Sequence, residues 1–381
     1  MMRALKVLHI ASGDLWAGAE VQAFTLMSSL ARVPGTQIAA VLLNEGLLAT
    51  KLRTAGVEVR VVDERRTGPA GVLLHLRRIL EDWRPDVVHT HRVKENILGS
   101  IANRLGRNAP CVRTTHGGNE RRAGWGARSI ANRALFGLDL WCGRKLQQKV
   151  IAVSEQLGRD LVNCFGVDKV VVIENGIDAT AVRSERREAA FRAAGRDVVH
   201  IGIIGRLVAV KRVDLFIGMA AMLKEAQGGR KWRFHVFGDG PLRSTLEALA
   251  QRMAVGDDIT FHGYREDIAT CMGGLDVLVN CSDHEGMPMT ALEASALAIP
   301  LVAHAVGGLA DVVPQEFLVV RHDAAGYGER VLRALRSDAR SITSNKSASI
   351  LEKFSAHRNA YRIRRLYEEV VGEAVEQEDR Q

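Results

Sequence analysis

Two glutamates, Glu285 and Glu293, stand eight positions apart in the run Ser282-Asp283-His284-Glu285-Gly286-Met287-Pro288-Met289-Thr290-Ala291-Leu292-Glu293-Ala294. Glu285 falls in a Gly/Pro-containing loop after an apolar run, and Glu293 one to two turns into the helix that follows. A carboxylate so placed can accept hydrogen bonds from vicinal hydroxyls, as acidic residues do for ribose in nucleotide folds. The loop Gly286-Met287-Pro288 and the helix N-terminus behind it can meet an anion or a polar ligand. A second cluster is Gly205-Arg206-Leu207, directly after an apolar run, with Lys211 five residues beyond Arg206. Gly permits a close turn, Arg can grip two phosphate oxygens and Lys adds a point charge, which suits a diphosphate. Two solvated surface cations are the plain alternative.

Three more turns belong with these. Val236-Phe237-Gly238-Asp239-Gly240-Pro241-Leu242 reads as strand, turn and a helix opened by proline. Phe261-His262-Gly263-Tyr264 ends another apolar run, and its backbone could frame a base or ribose at Gly263 and Tyr264. Gly307-Gly308 follows the run Leu301–Ala303. In the other half, His89-Thr90-His91-Arg92 with Lys94 follows a strand candidate. We read His89, His91, Arg92 and Lys94 as contacts to an acceptor's phosphate or hydroxyls, because carboxyl ends of parallel strands bind ligands. No third ligand at metal-binding spacing accompanies the two histidines. His116, in Thr114-Thr115-His116-Gly117, taken alone reads as an ordinary loop histidine.

These positions need elements to hold them. Strand-like runs fall at Val7–Ile10, Ile38–Leu43, Val57–Val62, Val87–His89, Cys111–Thr114 and Val150–Val153. Helical spacing fills Glu20–Ala31, Gly46–Ala55, Gly71–Asp82 and Asn96–Arg104. The second half repeats the alternation. Strands are expected at Val198–Gly205, Arg233–Phe237, Ile259–His262, Val277–Asn280, Leu301–Ala303 and Leu318–Val320. Helices are expected at Val213–Gln227, Pro241–Met253, Ile268–Met272, Met289–Ala298 and Ala325–Leu335. Such alternation implies parallel sheets covered on both faces. The class is therefore α/β, with two doubly wound, Rossmann-like domains facing each other across a cleft at the carboxyl ends of their strands. The charged segment Ala179–Arg196 is read as the connection. The first domain spans residues 1–178, the second 179–354, and 355–381 forms a terminal amphipathic helix packing back toward the first domain.

The chain of 381 residues is long enough for two cores. At 47% hydrophobic and 25% charged residues it is not disordered, collagen-like or coiled-coil. Its net charge of +8 lies wholly in the first half: residues 1–178 hold 25 Lys+Arg against 17 Asp+Glu, while residues 179–381 hold 27 of each. That asymmetry suggests an anionic partner for the first half. Arg121 to Lys149 carries seven cations and one acid, Asp139, interleaved with Trp125, Ile130, Leu135, Phe136, Leu138 and Trp141. This pattern fits an anionic membrane surface, or else a helix packing its stripe on a sheet. No nucleic-acid module is present. Cys111, Cys142, Cys164, Cys271 and Cys281 are dispersed, which reads as reduced thiols. No secretory signal or membrane span is visible. A cytoplasmic location is expected, peripheral on the inner face of the cytoplasmic membrane if the basic segment meets lipid.

Gly205-Arg206-Leu207 with Lys211, Phe237-Gly238-Asp239-Gly240-Pro241, Phe261-His262-Gly263, Glu285 to Glu293 and Gly307-Gly308 together resemble the nucleotide-sugar half of retaining glycosyltransferase family 4, the "group 1" enzymes of GT-B fold. Ala17-Gly18-Ala19-Glu20, Thr115-His116-Gly117, Ala152-Val153-Ser154 and Asn175-Gly176-Ile177-Asp178 extend the resemblance into the first half. It is weakest at Thr50–Trp83 and Glu120–Lys149. The resemblance implies that Arg206 and Lys211 bind the donor diphosphate, Glu285 the donor sugar and Glu293 the ribose. It also implies that the loop around Gly18 approaches the phosphates and that His116 sits beside the reacting sugar. No metal or other cofactor is implied, because cationic side chains and helix N-termini take that role. Two departures stand out: Arg212 where the family often has Gly after the lysine, and Ala298-Ile299-Pro300 where it often has Gly-x-Pro.

The expected activity is a metal-independent, retaining transfer of a hexose from a UDP- or GDP-sugar to a hydroxyl of a lipid-linked or cell-envelope glycan. The alternatives are a related GT-B epimerase or phosphorylase, and a non-catalytic membrane-binding scaffold that kept the fold.

Overall fold

In the computed structural model, which describes residues 3–14, 16–117, 130–194, 198–226 and 230–378, thirteen strands form two all-parallel sheets. In the first half β1 (Leu5–Ala11), α1 (Gly18–Leu30), β2 (Thr36–Leu42), α2 (Leu47–Thr54), β3 (Glu58–Val61), α3 (Glu64–Trp83) and β4 (Val87–His91) alternate. α4 (Val93–Leu105), β5 (Cys111–Thr115), α5 (Ile130–Lys145), β6 (Lys149–Ala152), α6 (Glu155–Phe165) and β7 (Val170–Val172) continue the pattern. The strand order is β3-β2-β1-β4-β5-β6-β7. Central strands read as continuous apolar runs because helices cover both faces. β1, for example, buries Val7 through Ala11.

The second half holds α7 (Ala179–Glu185), β8 (Val198–Ile204), α8 (Val213–Glu225), β9 (Lys231–Phe237), α9 (Arg243–Arg252), β10 (Ile259–Gly263), α10 (Ile268–Gly273) and β11 (Val277–Asn280). It continues through α11 (Met289–Ala296), β12 (Leu301–His304), α12 (Leu309–Val312), β13 (Leu318–Val319), α13 (Ala324–Ala334) and α14 (Ala339–Lys353). Its sheet runs β10-β9-β8-β11-β12-β13. The last helix, α15 (Ala356–Glu378), returns to the first unit. Its Ala360, Ile363, Leu366, Tyr367 and Val370 are buried in the same core as Val7, Leu26 and Leu30. The order of elements in each unit is that of a doubly wound, all-parallel α/β sheet.

The chain forms two units, Met1–Gly176 with Ser355–Gln381, and Ile177–Phe354. The charged segment 179–196, expected to connect the halves, is instead part of the second unit. Arg183 donates from Nε to the Ala296 carbonyl at 2.8 Å, and the Arg187 amide donates to Thr270 Oγ1 at 3.1 Å, which ties the segment down. Strand β7 and helices α6 and α14 lie outside the elements expected above. The three residues of β7 are too few to show a period, and α14 carries Ser or Thr at five of its fifteen positions, Ser341, Thr343, Ser344, Ser347 and Ser349, which blurs its stripe.

Both departures from the family pattern sit at left-handed residues. Arg212 has φ of 46° and Ala298 has φ of 54°. Glycine adopts that conformation without cost, whereas a Cβ carries a penalty. Ala298 caps α11, with Ile299 N donating to Ala294 O at 2.9 Å, so the turn is required whatever residue occupies it. Ala298→Gly is therefore expected to raise the unfolding free energy by about 1 kcal/mol, read as a higher urea midpoint at unchanged slope. An unchanged or lower midpoint would contradict the strain at this position.

Candidate active-site residues in the two units

In the second unit the loops leaving β8, β9 and β10 approach one another at glycine. Gly205 N donates to Phe237 O at 2.9 Å and Gly238 N to Gly263 O at 2.7 Å. A Cβ on Gly238 would lie 1.9 Å from the Gly205 oxygen, and all three glycines have positive φ. Side chains are excluded there, which fixes where the chain from Arg206 to Lys211 begins. Arg206 is exposed, and among the described residues its guanidinium makes no hydrogen bond or ion pair.

Lys211 is not a free cation. Its Nζ donates to Glu285 Oε1 at 2.5 Å, and the same oxygen accepts from Ser282 Oγ at 2.7 Å and Asn280 Nδ2 at 3.2 Å. Burial alone would raise the Glu285 carboxyl, but Lys211, Ser282 and Asn280 together hold it below its ordinary value. Glu285 is thus an anchored carboxylate that places the ammonium. Asn280 and Ser282 are hydrogen-bond partners of Glu285 that the sequence reading missed, although both lie within five residues of it. Beside them Arg212 is held by Asp214 at 2.9 Å and Asp283 at 3.2 Å, which offsets its unfavourable backbone.

Gly307 and Gly308 press against the Glu285 loop. A Cβ on Gly307 would lie 2.2 Å from the Glu285 oxygen, and Gly308 N donates to Gly286 O at 2.6 Å. Met287 is buried behind this contact and Pro288 precedes α11, whose first amides have no intrahelical acceptor. Glu293, four residues into α11, has its carboxyl pushed up to about 7 by burial and by the nearby charge of Glu185. Tyr264 is half exposed beyond Gly263.

In the first unit Gly18 opens α1, with open space where its Cβ would stand. Glu20 is buried and pairs with Arg92 at 2.7 Å, its carboxyl raised by burial against the lowering effect of Arg92. Lys94 pairs with Glu64 at 2.7 Å. Arg92 and Lys94, expected to contact an acceptor, are therefore already committed to carboxylates. His89 is wholly enclosed, so it cannot meet an acceptor. It contacts the Tyr367 hydroxyl from Nδ1 at 2.6 Å and the Thr114 hydroxyl from Nε2 at 2.7 Å. His91 is also buried, its two nitrogens engaged with His9 at 3.0 Å and His116 at 3.3 Å. The sheet supplies the third histidine absent from the local sequence. His9, His89 and His91 bring one ring nitrogen each within 4.8 Å of one another. Burial drives His91 down to about 3 and lowers His9, His89 and His116 strongly, so all four rings are neutral. His116 lines a small pocket with Ser12, Glu20, His91 and Arg92, and its Nδ1 has no partner among the described residues.

Of the basic segment Arg121 to Lys149, residues 121–129 lie outside the described residues. Lys149 is turned to Glu369 of α15 at 3.2 Å rather than to an anionic surface. All five cysteines are free. Among the described residues no helix is long and apolar enough to cross a membrane.

With the site described, known proteins can be set beside it. The sequence pattern "Glycosyl transferases group 1" matches residues 198–337, and "Glycosyltransferase Family 4" matches residues 16–181. The chain belongs to the group 1 glycosyltransferases. It is 27% identical over 346 residues to the 2-deoxystreptamine N-acetyl-D-glucosaminyltransferase of Streptomyces fradiae, covering 82% of this chain and 81% of that one. It is 27% identical over 314 residues to a UDP-Gal:alpha-D-GlcNAc-diphosphoundecaprenol alpha-1,3-galactosyltransferase of Escherichia coli, covering 78% and 79%. The fold matches HepE of Anabaena, solved with UDP-glucose, at a TM-score of 0.81 over 96% of this chain and 100% of that one, with 18% identity. This glycosyltransferase is a hexosyltransferase of GT-B fold.

The state of Glu293 yields a stability test. Its carboxyl sits near 4.5 when unfolded and about 7 when folded, so folding takes up a proton between those values. The stability it supports is full below pH 4.5 and falls as pH rises to 7. Glu293→Gln removes that loss. The variant is expected to be more stable than the parent at pH 8 in urea unfolding, with the difference closing toward pH 5. A difference independent of pH would refute the raised carboxyl.

Proposed function

We propose that this glycosyltransferase moves a hexose from a UDP- or GDP-sugar, with retention of configuration and without a metal ion, to a hydroxyl of a lipid-linked or cell-envelope glycan. The observation that carries the reading is the Lys211–Glu285 pair on the loop that also carries Arg206, unpaired among the described residues, at the rim where Gly205, Gly238 and Gly263 let backbones meet. Arg206 and Lys211 supply positive charge for a leaving diphosphate. In the transfer the bond from the sugar's anomeric carbon to the diphosphate oxygen breaks and its electron pair stays on the phosphate. The acceptor oxygen bonds that carbon, and its proton passes to the departing phosphate oxygen. Preorganised cations lower this barrier because they need no rearrangement as charge develops. Glu285, once it shares Lys211 with the donor, holds sugar hydroxyls, and Glu293 accepts from the ribose. Gly286, Met287 and Pro288 shape the wall between them. The Gly18 turn approaches the phosphates, and His116, being neutral, contacts the sugar as a hydrogen-bonding group rather than an acid.

A lipid-linked acceptor is supported by α5. That helix turns Asp139, Cys142 and Gly143 inward and leaves Leu135, Leu138 and Trp141 exposed among Arg133, Arg144 and Lys145. The inward Asp139 is neutralised by the buried Arg113 at 2.9 Å. A helix with its acid inside and its leucines and tryptophan outside, flanked by cations, suits an anionic bilayer. The names of the Escherichia coli relative and of HepE's ligand support a diphosphate-lipid acceptor and a UDP donor respectively.

Calorimetry with UDP, GDP, ADP and CMP, with and without EDTA, tests the donor site. Binding of one nucleoside diphosphate, indifferent to EDTA and lost in Glu293→Ala, is expected; no binding of any nucleotide would sink the assignment. Lys211→Ala and Glu285→Ala are expected to lose transfer by about 100-fold or more while circular dichroism is unchanged. On phosphatidylglycerol vesicles the parent is expected to float and a Leu138→Glu, Trp141→Glu double variant to remain in solution. Equal flotation of the two would remove α5 as the lipid contact.

A further inference from the structure

Six polar groups of the first unit form one file. Thr114 Oγ1 meets His89 Nε2 at 2.7 Å, and His89 Nδ1 meets the Tyr367 hydroxyl at 2.6 Å. The same hydroxyl meets His9 Nε2 at 3.4 Å, and His9 Nδ1 meets His91 Nε2 at 3.0 Å. His91 Nδ1 then meets His116 Nε2 at 3.3 Å, and the file ends at the unpartnered His116 Nδ1. The rings of His89, His91 and His116 stack in succession at 4.4 and 5.5 Å. Three strands and the terminal helix contribute, so only tertiary structure assembles it.

A neutral imidazole carries one proton on two nitrogens, so a contact made at one nitrogen decides what the other offers. Burial keeps all four rings neutral. Every contact in the file needs one proton, not two or none, and the Tyr367 hydroxyl can accept from both His89 and His9 only by leaving its own buried proton unpaired, so the favoured orientations are coupled end to end. Either Thr114 donates to His89 and each group donates to the next, leaving His116 with N–H at Nδ1. Or all run in reverse, and His116 offers a lone pair there. The reverse sense leaves the Thr114 hydroxyl proton without an acceptor, since His89 is its one partner among the described residues. A buried donor left unpaired costs about 1–3 kcal/mol, which selects the forward sense.

We propose that Thr114, His89, Tyr367, His9 and His91 act as a tautomer-setting relay that orients His116 and fixes its Nδ1 as a hydrogen-bond donor toward an oxygen of the bound sugar. The last clause rests on the place given to His116 above; the relay itself does not. Thr114, Tyr367, His9 and His91 are positioning residues, since none reaches the ligand. The consequence resembles other histidine sites, in which the wrong tautomer leaves geometry intact and yet removes most of the rate. Because Tyr367 lies on α15, the same hydroxyl also ties the terminal helix to the proton state of the pocket.

The test is the ring-nitrogen spectrum of the full chain carrying 15N-histidine, which separates the two tautomers without any substrate. In the parent, His116 is expected wholly as the Nδ1–H form. Thr114→Val removes the first donor and Tyr367→Phe cuts the file in the middle, and each is expected to give a mixture of tautomers at His116. Thr114→Ser restores the hydroxyl and is expected to restore the single form. Transfer is expected to fall about tenfold in kcat for Thr114→Val and to recover in Thr114→Ser. A parent spectrum showing Nε2–H, or an unmoved His116 tautomer in both cut variants, overturns the relay. Joint shifts of His9, His89 and His91 on adding Zn2+ alone overturn it in favour of a metal site. A tautomer that moves while transfer does not supports the relay and overturns the place of His116 at the sugar.

Discussion

The second unit's candidate site depends on how closely three backbones approach at the ends of β8, β9 and β10. The Gly205 carbonyl stands where a side chain on Gly238 would be, and Gly240 is pressed against Leu207 in the same way. With side chains excluded, amide and carbonyl groups bond across the loops, and the strand ends become a stiff platform. Lys211 can then meet Glu285, which comes from the far side of β8, where β11 lies. A second pair of glycines, Gly307 and Gly308, performs the same service for the Glu285 loop. Catalysis by positioned charge requires such stiffness, because a cation that must first reorganise stabilises little.

Both units place ionisable groups inside and resolve them differently. In the second, Glu285 remains charged because a cation and two neutral donors outweigh its burial, while Glu293, lacking a cation, is pushed up to about 7. In the first, Glu20 and Asp139 are each met by an arginine, Arg92 and Arg113. The histidines take a third course, staying neutral and bonding to one another. The pattern recurs in the second sheet, where His200, His235 and His262 on β8, β9 and β10 meet ring to ring at 2.9 Å. A neutral imidazole is donor and acceptor at once, so neighbouring strands can satisfy buried rings without any charge.

Much of this was legible in the chain itself. Strand and helix alternation, the glycine turns and the Glu285 to Glu293 run follow from local pattern, because each depends on residues close in sequence. The surroundings of His89, His91, Arg92 and Lys94 are not legible in the local sequence. Glu20, Glu64, Tyr367 and His9, which pair with those side chains, lie up to 278 positions away from their partners. Asn280 and Ser282 were within sight of Glu285 and were passed over because neither carries charge.

The two parallel α/β units, the family, and the clustering of cationic and acidic residues in a few loops were written in the sequence. These are set by short-range periodicity and by chemistry confined to single loops. The tertiary structure decided which of those charges is unpaired among the described residues, Arg206, and which are ion-paired, Lys211 and Arg92. It also brought together four histidines, from β1, β4 and the loop after β5, with one tyrosine from the last helix. Pairing of that kind depends on sheet order and register, and neither is written in the spacing of residues along the chain.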